Sequence, residues 1–204
     1  MKKSLLALLI VTIIGGAGML AGPARAVVLN AKFDMKVSPG AAGCLPNAVG
    51  HVTINHLGAV ESLHVEVFGV KPDTDYDLFI IQVPNAPFGL SWYQGDIETD
   101  SRGRGVGDFA GRFSVETFIV APNQATVPVP VHPADATQPG TNPAIPKPIH
   151  TFHLGLWFNS PTDAANQGCP ATVTPFNGDH TAGIQVLNTA GFPDDRGPLR
   201  NFRP

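Results

Sequence analysis

The sequence has no cluster of basic residues, no G-x-S-x-G motif, only two cysteines, and one long apolar run, at its N-terminus. Each shortage removes a class of function. Without a basic patch, nucleic acid has no electrostatic footing. Without G-x-S-x-G, the nucleophile elbow of an α/β-hydrolase is absent, and Ser91 and Ser114 have no marked partner. A blue-copper centre needs a Cys with a His and a Met close downstream, yet no Met follows Cys169 and His180 lies eleven residues on. With no second long apolar run, nothing beyond the N-terminus reads as a bilayer-spanning helix.

The N-terminal run has the layout of a secretory signal peptide. Met1-Lys2-Lys3 is positive, Ser4 to Gly22 is apolar, and Ala24-Arg25-Ala26 is a cleavage motif. The alternative is an uncleaved anchor. Cleavage after Ala26 would leave 178 of the 204 residues, with ten basic against sixteen acidic side chains, a net charge of −6. The expected location is therefore outside the cell or in its envelope. In that setting Cys44 and Cys169 are expected to form a disulfide. It would tie an N-terminal loop to the C-terminal segment and make residues 27–204 one domain. The competing reading is lipidation of Cys44, but Lys32, Asp34 and Lys36 separate it from the apolar run.

What remains is mostly β. Leu63, Val65 and Val67 alternate with His64, Glu66 and Phe68, the period of a half-buried strand. Asp77 to Val83 is apolar on both faces and reads as a central strand. Val49–His56, Gly95–Thr99, Asp108–Val120, Ile149–Asn159 and Gly183–Asn188 read as further strands, with Val27–Ser38 as a first edge strand. Residues 121–148 carry eight prolines, which excludes a helix and makes a long surface loop. Asn177-Gly178 signals a hairpin. One short helix is expected near 161–167, with Ser160 as N-cap and Pro161 at the first position. Residues 192–204 read as a loose tail.

Between two of these strands lies Pro72-Asp73-Thr74-Asp75-Tyr76. This Pro-x-Thr-x-Tyr turn resembles the tyrosine corner of immunoglobulin-like and fibronectin type III sandwiches. The resemblance covers about 20 residues and implies a Tyr76 hydroxyl bonded back to the backbone upstream. It implies no function. The expected fold is thus a mainly β, antiparallel β-sandwich, immunoglobulin-like or jelly-roll.

Three constellations bear on chemistry. Gly105 to Ala110 matches G-x-G-x-x-A but continues as strand, so it is no dinucleotide fingerprint. Asp96, Glu98, Asp100, Asp108 and Glu116 surround one expected hairpin, facing Arg112. They offer a Ca²⁺ site, paired carboxylates of a glycosidase, or a solvated face. Arg102 and Arg104 fill the turn where calcium ligands would stand, and no other cofactor is expected. Among the seven histidines, His150/His153 and His51/His56 are spaced to point to opposite strand faces. His64, His153 and His180 could meet only across strands.

The best binding candidates lie in an aromatic loop, Phe88, Ser91, Trp92, Tyr93 and Gln94, with Asn85 beside them. Aromatic faces next to short polar groups suit a sugar or a protein. The plainer reading is that Phe88 and Trp92 plug the core. The function expected is non-catalytic recognition of a surface glycan or protein. A polysaccharide hydrolase using the acidic hairpin and a structural envelope protein are the alternatives.

Overall fold

Ten strands and one α-helix are present in the computed structural model, which describes residues 30–113, 117–119, 148–175, 181–194 and 196–201. The proposed signal segment, most of the proline-rich stretch, Glu116, Asn177-Gly178 and His180 lie outside the described residues. The strands are β1 Asn30–Val37, β2 Val49–His56, β3 Glu61–Phe68, β4 Asp75–Ile81, β5 Ser91–Glu98, β6 Gly105–Gly111, β7 Thr117–Ile119, β8 Pro148–His150, β9 His153–Phe158 and β10 Gln185–Asn188.

Eight of these strands form one antiparallel sheet in the order β5-β4-β9-β10-β1-β2-β3-β6. β7 and β8 pair separately. The terminal strands β5 and β6 come together through an isolated bridge, Thr99 to Gly105, so the sheet nearly closes into a barrel. Two glycines permit the approach. A Cβ on Gly105 would lie 2.7 Å from Ile97, and one on Gly107 would lie 2.7 Å from the Phe109 ring. Near-closure shields both edges that an open sheet would expose. The observed architecture is therefore mainly β and antiparallel, built as one curled sheet.

Alternation decides which side chains fill the barrel. Leu63, Val65 and Val67 of β3 point inward with Val52 and Ile54 of β2, Tyr76, Leu78 and Ile80 of β4, and Leu154, Leu156 and Phe158 of β9. All are buried. β4 buries its other face too. Phe79 and Ile81 join Trp157 and Ala182 in a second apolar cluster outside the barrel, with Phe88 against it. The loop after β4 folds back over this face. Gln82 N–H donates to Leu90 O at 2.9 Å, and Val83 N–H donates to Phe88 O at 3.1 Å.

Cys44 and Cys169 are bonded, with Cα atoms 5.3 Å apart and a sequence separation of 125. The helix α1, Pro161–Asn166, has Ser160 as N-cap, whose hydroxyl accepts from Asp163 N–H at 3.1 Å, and it buries Ala164. Within 192–204, Pro198–Asn201 forms a 3₁₀ turn, and Leu199 is fully buried in the barrel core. Among the described residues no helix is long and apolar enough to cross a membrane.

Several sequence expectations change. β1 is internal, between β10 and β2, because it finds partners on both sides. The run from Ile149 to Asn159 is two strands. His150 belongs to β8 and stacks on Phe152, with ring centroids 5.3 Å apart, while His153 opens β9. The expected β5–β6 hairpin forms no ladder, since β6 pairs along its length with β3. β5 itself starts at Ser91, four residues earlier than the local turn signals suggest.

Candidate functional site

The candidate residues sit on β5 and the loop before it. Phe88 is half-buried. Its ring packs edge-on against Trp157, with centroids 5.0 Å apart, so it belongs to the outer apolar cluster. Trp92 and Tyr93 lie within the strand, 47% and 45% exposed. Ser91 and Gln94 are half-buried.

A register shift between Leu78 and Phe79 shapes this strand. Gly95 pairs with Leu78, and Tyr93 pairs with Phe79, leaving Gln94 as the extra residue. Such a bulge bends the strand and re-aims its side chains. Trp92 pairs with Ile80, an inward residue, whereas Tyr93 pairs with Phe79 on the outer face. Adjacent strand residues face opposite ways. Trp92 and Tyr93 thus flank the rim of β5 rather than form one flat platform, and a ligand touching both must straddle the strand.

The outer face of β4 and β5 carries carboxylates in register. Asp75 stands opposite Glu98, and Asp77 stands opposite Asp96. Tyr93 continues the row, its hydroxyl donating to Asp96 Oδ1 at 2.6 Å. Burial comes first in holding the Tyr93 phenol above the ordinary tyrosine range. The hydrogen bond to Asp96 and the charges of Asp96, Asp77 and Asp75 add to it. Burial likewise pushes the Asp75 carboxyl up, helped by Asp96, Glu98 and, least, Asp163, while a bond from the Tyr76 backbone N–H opposes the rise. Asp75 Oδ1 is closed off from solvent, and no described residue donates to it. Asp73, Asp75 and Asp163 also line a polar cavity of about 270 Å³ with Asn159, Asn166 and Gln167.

This acidic group differs from the expected one. Asp96 and Glu98 face β4 carboxylates instead of Arg112, whose Nη1 donates to Ala59 O at 3.1 Å. Asp108 is on β6 beside His64, whose Nδ1 is 2.7 Å from its Oδ1. Asp100 serves its own turn, accepting from Arg102 and Arg104 backbone N–H at 2.9 Å each; those bonds, Arg104 first, lower its pKa. In the sequence Asp75 reads as part of the turn before β4, and Asp77 as the start of an apolar strand, so neither stands out. Only the β4–β5 register brings them to the site.

His51, His64 and His153 are each bound to separate partners. His51 Nδ1 pairs with Asp34 at 2.8 Å. His153 is buried, with Nδ1 2.9 Å from Thr189 Oγ1 and Nε2 3.1 Å from Asp194 O. Among the described residues no group of three or more His, Cys, Asp or Glu is arranged to hold a metal ion.

The Tyr76 hydroxyl accepts from Lys71 N–H at 2.9 Å, the back-bond implied by the turn sequence. No protein-family model matches the chain, and a search of curated proteins finds no match.

Proposed function

We propose that this is a secreted, non-catalytic recognition protein that binds a glycan at the cell surface across β5. The observation that carries the reading is the half-exposure of two neighbouring aromatics, Trp92 and Tyr93, on the sheet's terminal strand. Adjacent exposed aromatic surface rimmed by polar residues is the kind of patch that marks a binding site. Sugar C–H faces stack on such rings, while carboxylates and amides accept and donate to hydroxyls. The row Asp75, Asp77, Asp96 and Glu98 repels anionic sugars, so neutral or amine-bearing glycans fit best. A straddling geometry suits an extended chain over a single sugar.

A protein partner is the second reading, favoured by the same two half-exposed aromatics, since Trp and Tyr are enriched at protein interfaces. Secretion rests on the N-terminal sequence and is supported by the disulfide. A sandwich of immunoglobulin-like or jelly-roll type is carried as part of the same proposal, supported by the Tyr76 back-bond and the antiparallel strands.

The test is a glycan-array screen of the disulfide-bonded protein, with Trp92→Ala and Tyr93→Ala beside it. The proposal expects binding to neutral or amino glycans that falls at least about tenfold in each variant, about 1.4 kcal/mol. Binding that survives both substitutions, or that selects only acidic glycans, would overturn it. No array binding, together with capture of a protein lost in the same variants, would select the second reading.

A further inference from the structure

A cleft of about 760 Å³ opens between three segments: Ser38–Gly40, Asn85–Gly89 and Thr172–Pro175. Ile184 and Gln185 form its floor. Its volume lies in the range of small-molecule sites. Phe88, Pro87, Val173 and Ile184 supply apolar walls, and among the described residues no charged side chain lines it.

The walls are set before any ligand arrives. Gln185 Nε2 and Asn188 Nδ2 both donate to Pro84 O at 3.1 Å, pinning the start of the 84–89 loop to β10. Asn188 Nδ2 also donates to Gln185 Oε1 at 2.8 Å. The Ser38 hydroxyl donates to Gln185 O, holding the opposite wall to the same residue. Phe88 is fixed from behind by the Trp157 ring. A pocket whose sides are tied in this way loses little conformational entropy on binding.

We infer that this cleft is a binding site for a compact, uncharged, mainly apolar small molecule with one or two hydrogen-bonding groups. The described lining, which carries no charge, selects against ions. A charged group brought there would lose its water and gain no counter-charge, a cost far above that of leaving it in solvent. The exposed amide of Asn85 and hydroxyl of Thr172 stand where a ligand's polar group would be met, while the Gln185 amide and the Thr174 hydroxyl are spent on holding the walls. None of its described lining residues lies on β5. Phe88, expected from the sequence to share a site with Trp92, instead serves this one.

The experiment uses two fluorescent probes with the same ring system, uncharged N-phenylnaphthylamine and its sulfonated analogue anilinonaphthalene sulfonate, titrated into the folded, disulfide-bonded protein. Val173→Arg places a charge at the mouth, at a position 58% exposed and so tolerant of substitution. Thr172→Arg, also exposed, is the second variant should the first fail to fold. The inference expects saturable binding of the neutral probe at one site per chain, with the sulfonated probe at least about tenfold weaker. Either arginine variant weakens the neutral probe at least about tenfold with an unchanged melting temperature. Trp92→Ala leaves it unaltered. Unsaturable fluorescence, equal affinity for both probes, or full binding by a folded arginine variant would overturn it.

Discussion

Replacing Asp75 with Asn should stabilise the protein at neutral pH and have no effect in acid. Asp75 faces Glu98 across the β4–β5 ladder, with Asp77 facing Asp96 one pair further along. Like charges directly opposite on neighbouring strands cost roughly 0.2–1 kcal/mol per pair. Burial of Asp75, with Oδ1 shut away from solvent, adds to that cost. Asn keeps the shape and an acceptor for the Tyr76 N–H, and it removes the charge. The expected gain is about 1 kcal/mol at pH 7, a rise of about 2–4 °C in melting temperature for a domain of this size. The sign follows from linkage. The folded-state pKa lies above the ordinary aspartate value of 3.8, so the folded state binds more protons between the two values. Wild-type stability therefore rises as pH falls through that window, and below it the charge penalty is gone. Urea unfolding of both proteins at pH 7 and pH 3 measures this, and the difference between them cancels the other carboxylates. An Asn variant that is no more stable at pH 7, or one whose advantage persists at pH 3, would refute the reasoning.

Three further outcomes follow from the same geometry. Tyr76→Phe leaves the Lys71 N–H without its acceptor and should cost about 1–2 kcal/mol in urea unfolding with an unchanged m-value. Reduction of Cys44–Cys169, or Cys44→Ala with Cys169→Ala, opens a 125-residue loop and should cost about 4–5 kcal/mol by the chain-entropy model, read as a large drop in the urea midpoint. Gly155→Ala puts a Cβ 2.3 Å from the Trp157 ring and should cost about 1–3 kcal/mol while altering Trp157 fluorescence, because that ring must leave its cluster.

The strands with one buried face were legible from their own residues. β3 shows this best: its period of two needs no knowledge of a partner. The helix was legible because Ser160, Pro161 and Gly168 mark its ends locally. Pairing was not legible. β5 and β6 are joined by a short turn rich in glycine, and adjacency suggests a hairpin, yet β6 spends its hydrogen bonds on β3. Turn chemistry reports that the chain reverses, not which strand it will lie against. The beginning of β5 was hidden for a related reason. Pro84, Pro87 and Gly89 mark a loop, but the strand resumes directly after it, where Ser91 finds Ile81. The candidate site shared this limit. Its aromatics stood out by composition, whereas the carboxylates of Asp75 and Asp77 entered only through register. The second apolar cluster was invisible for the opposite reason: β4 looks uniformly apolar, and nothing in it says that two separate cores share the strand.

The protein has two tryptophans, one half-exposed at the proposed glycan strand and one, Trp157, fully buried. Acrylamide quenching therefore reads Trp92 almost alone. Quenching of the folded protein should be measured with and without the best glycan from the array, at saturating concentration. The account predicts that the accessible fraction of fluorescence falls as the glycan covers Trp92, and that a neutral sugar not retained on the array leaves it unchanged. Undiminished quenching of Trp92 in the saturated complex would contradict recognition at β5.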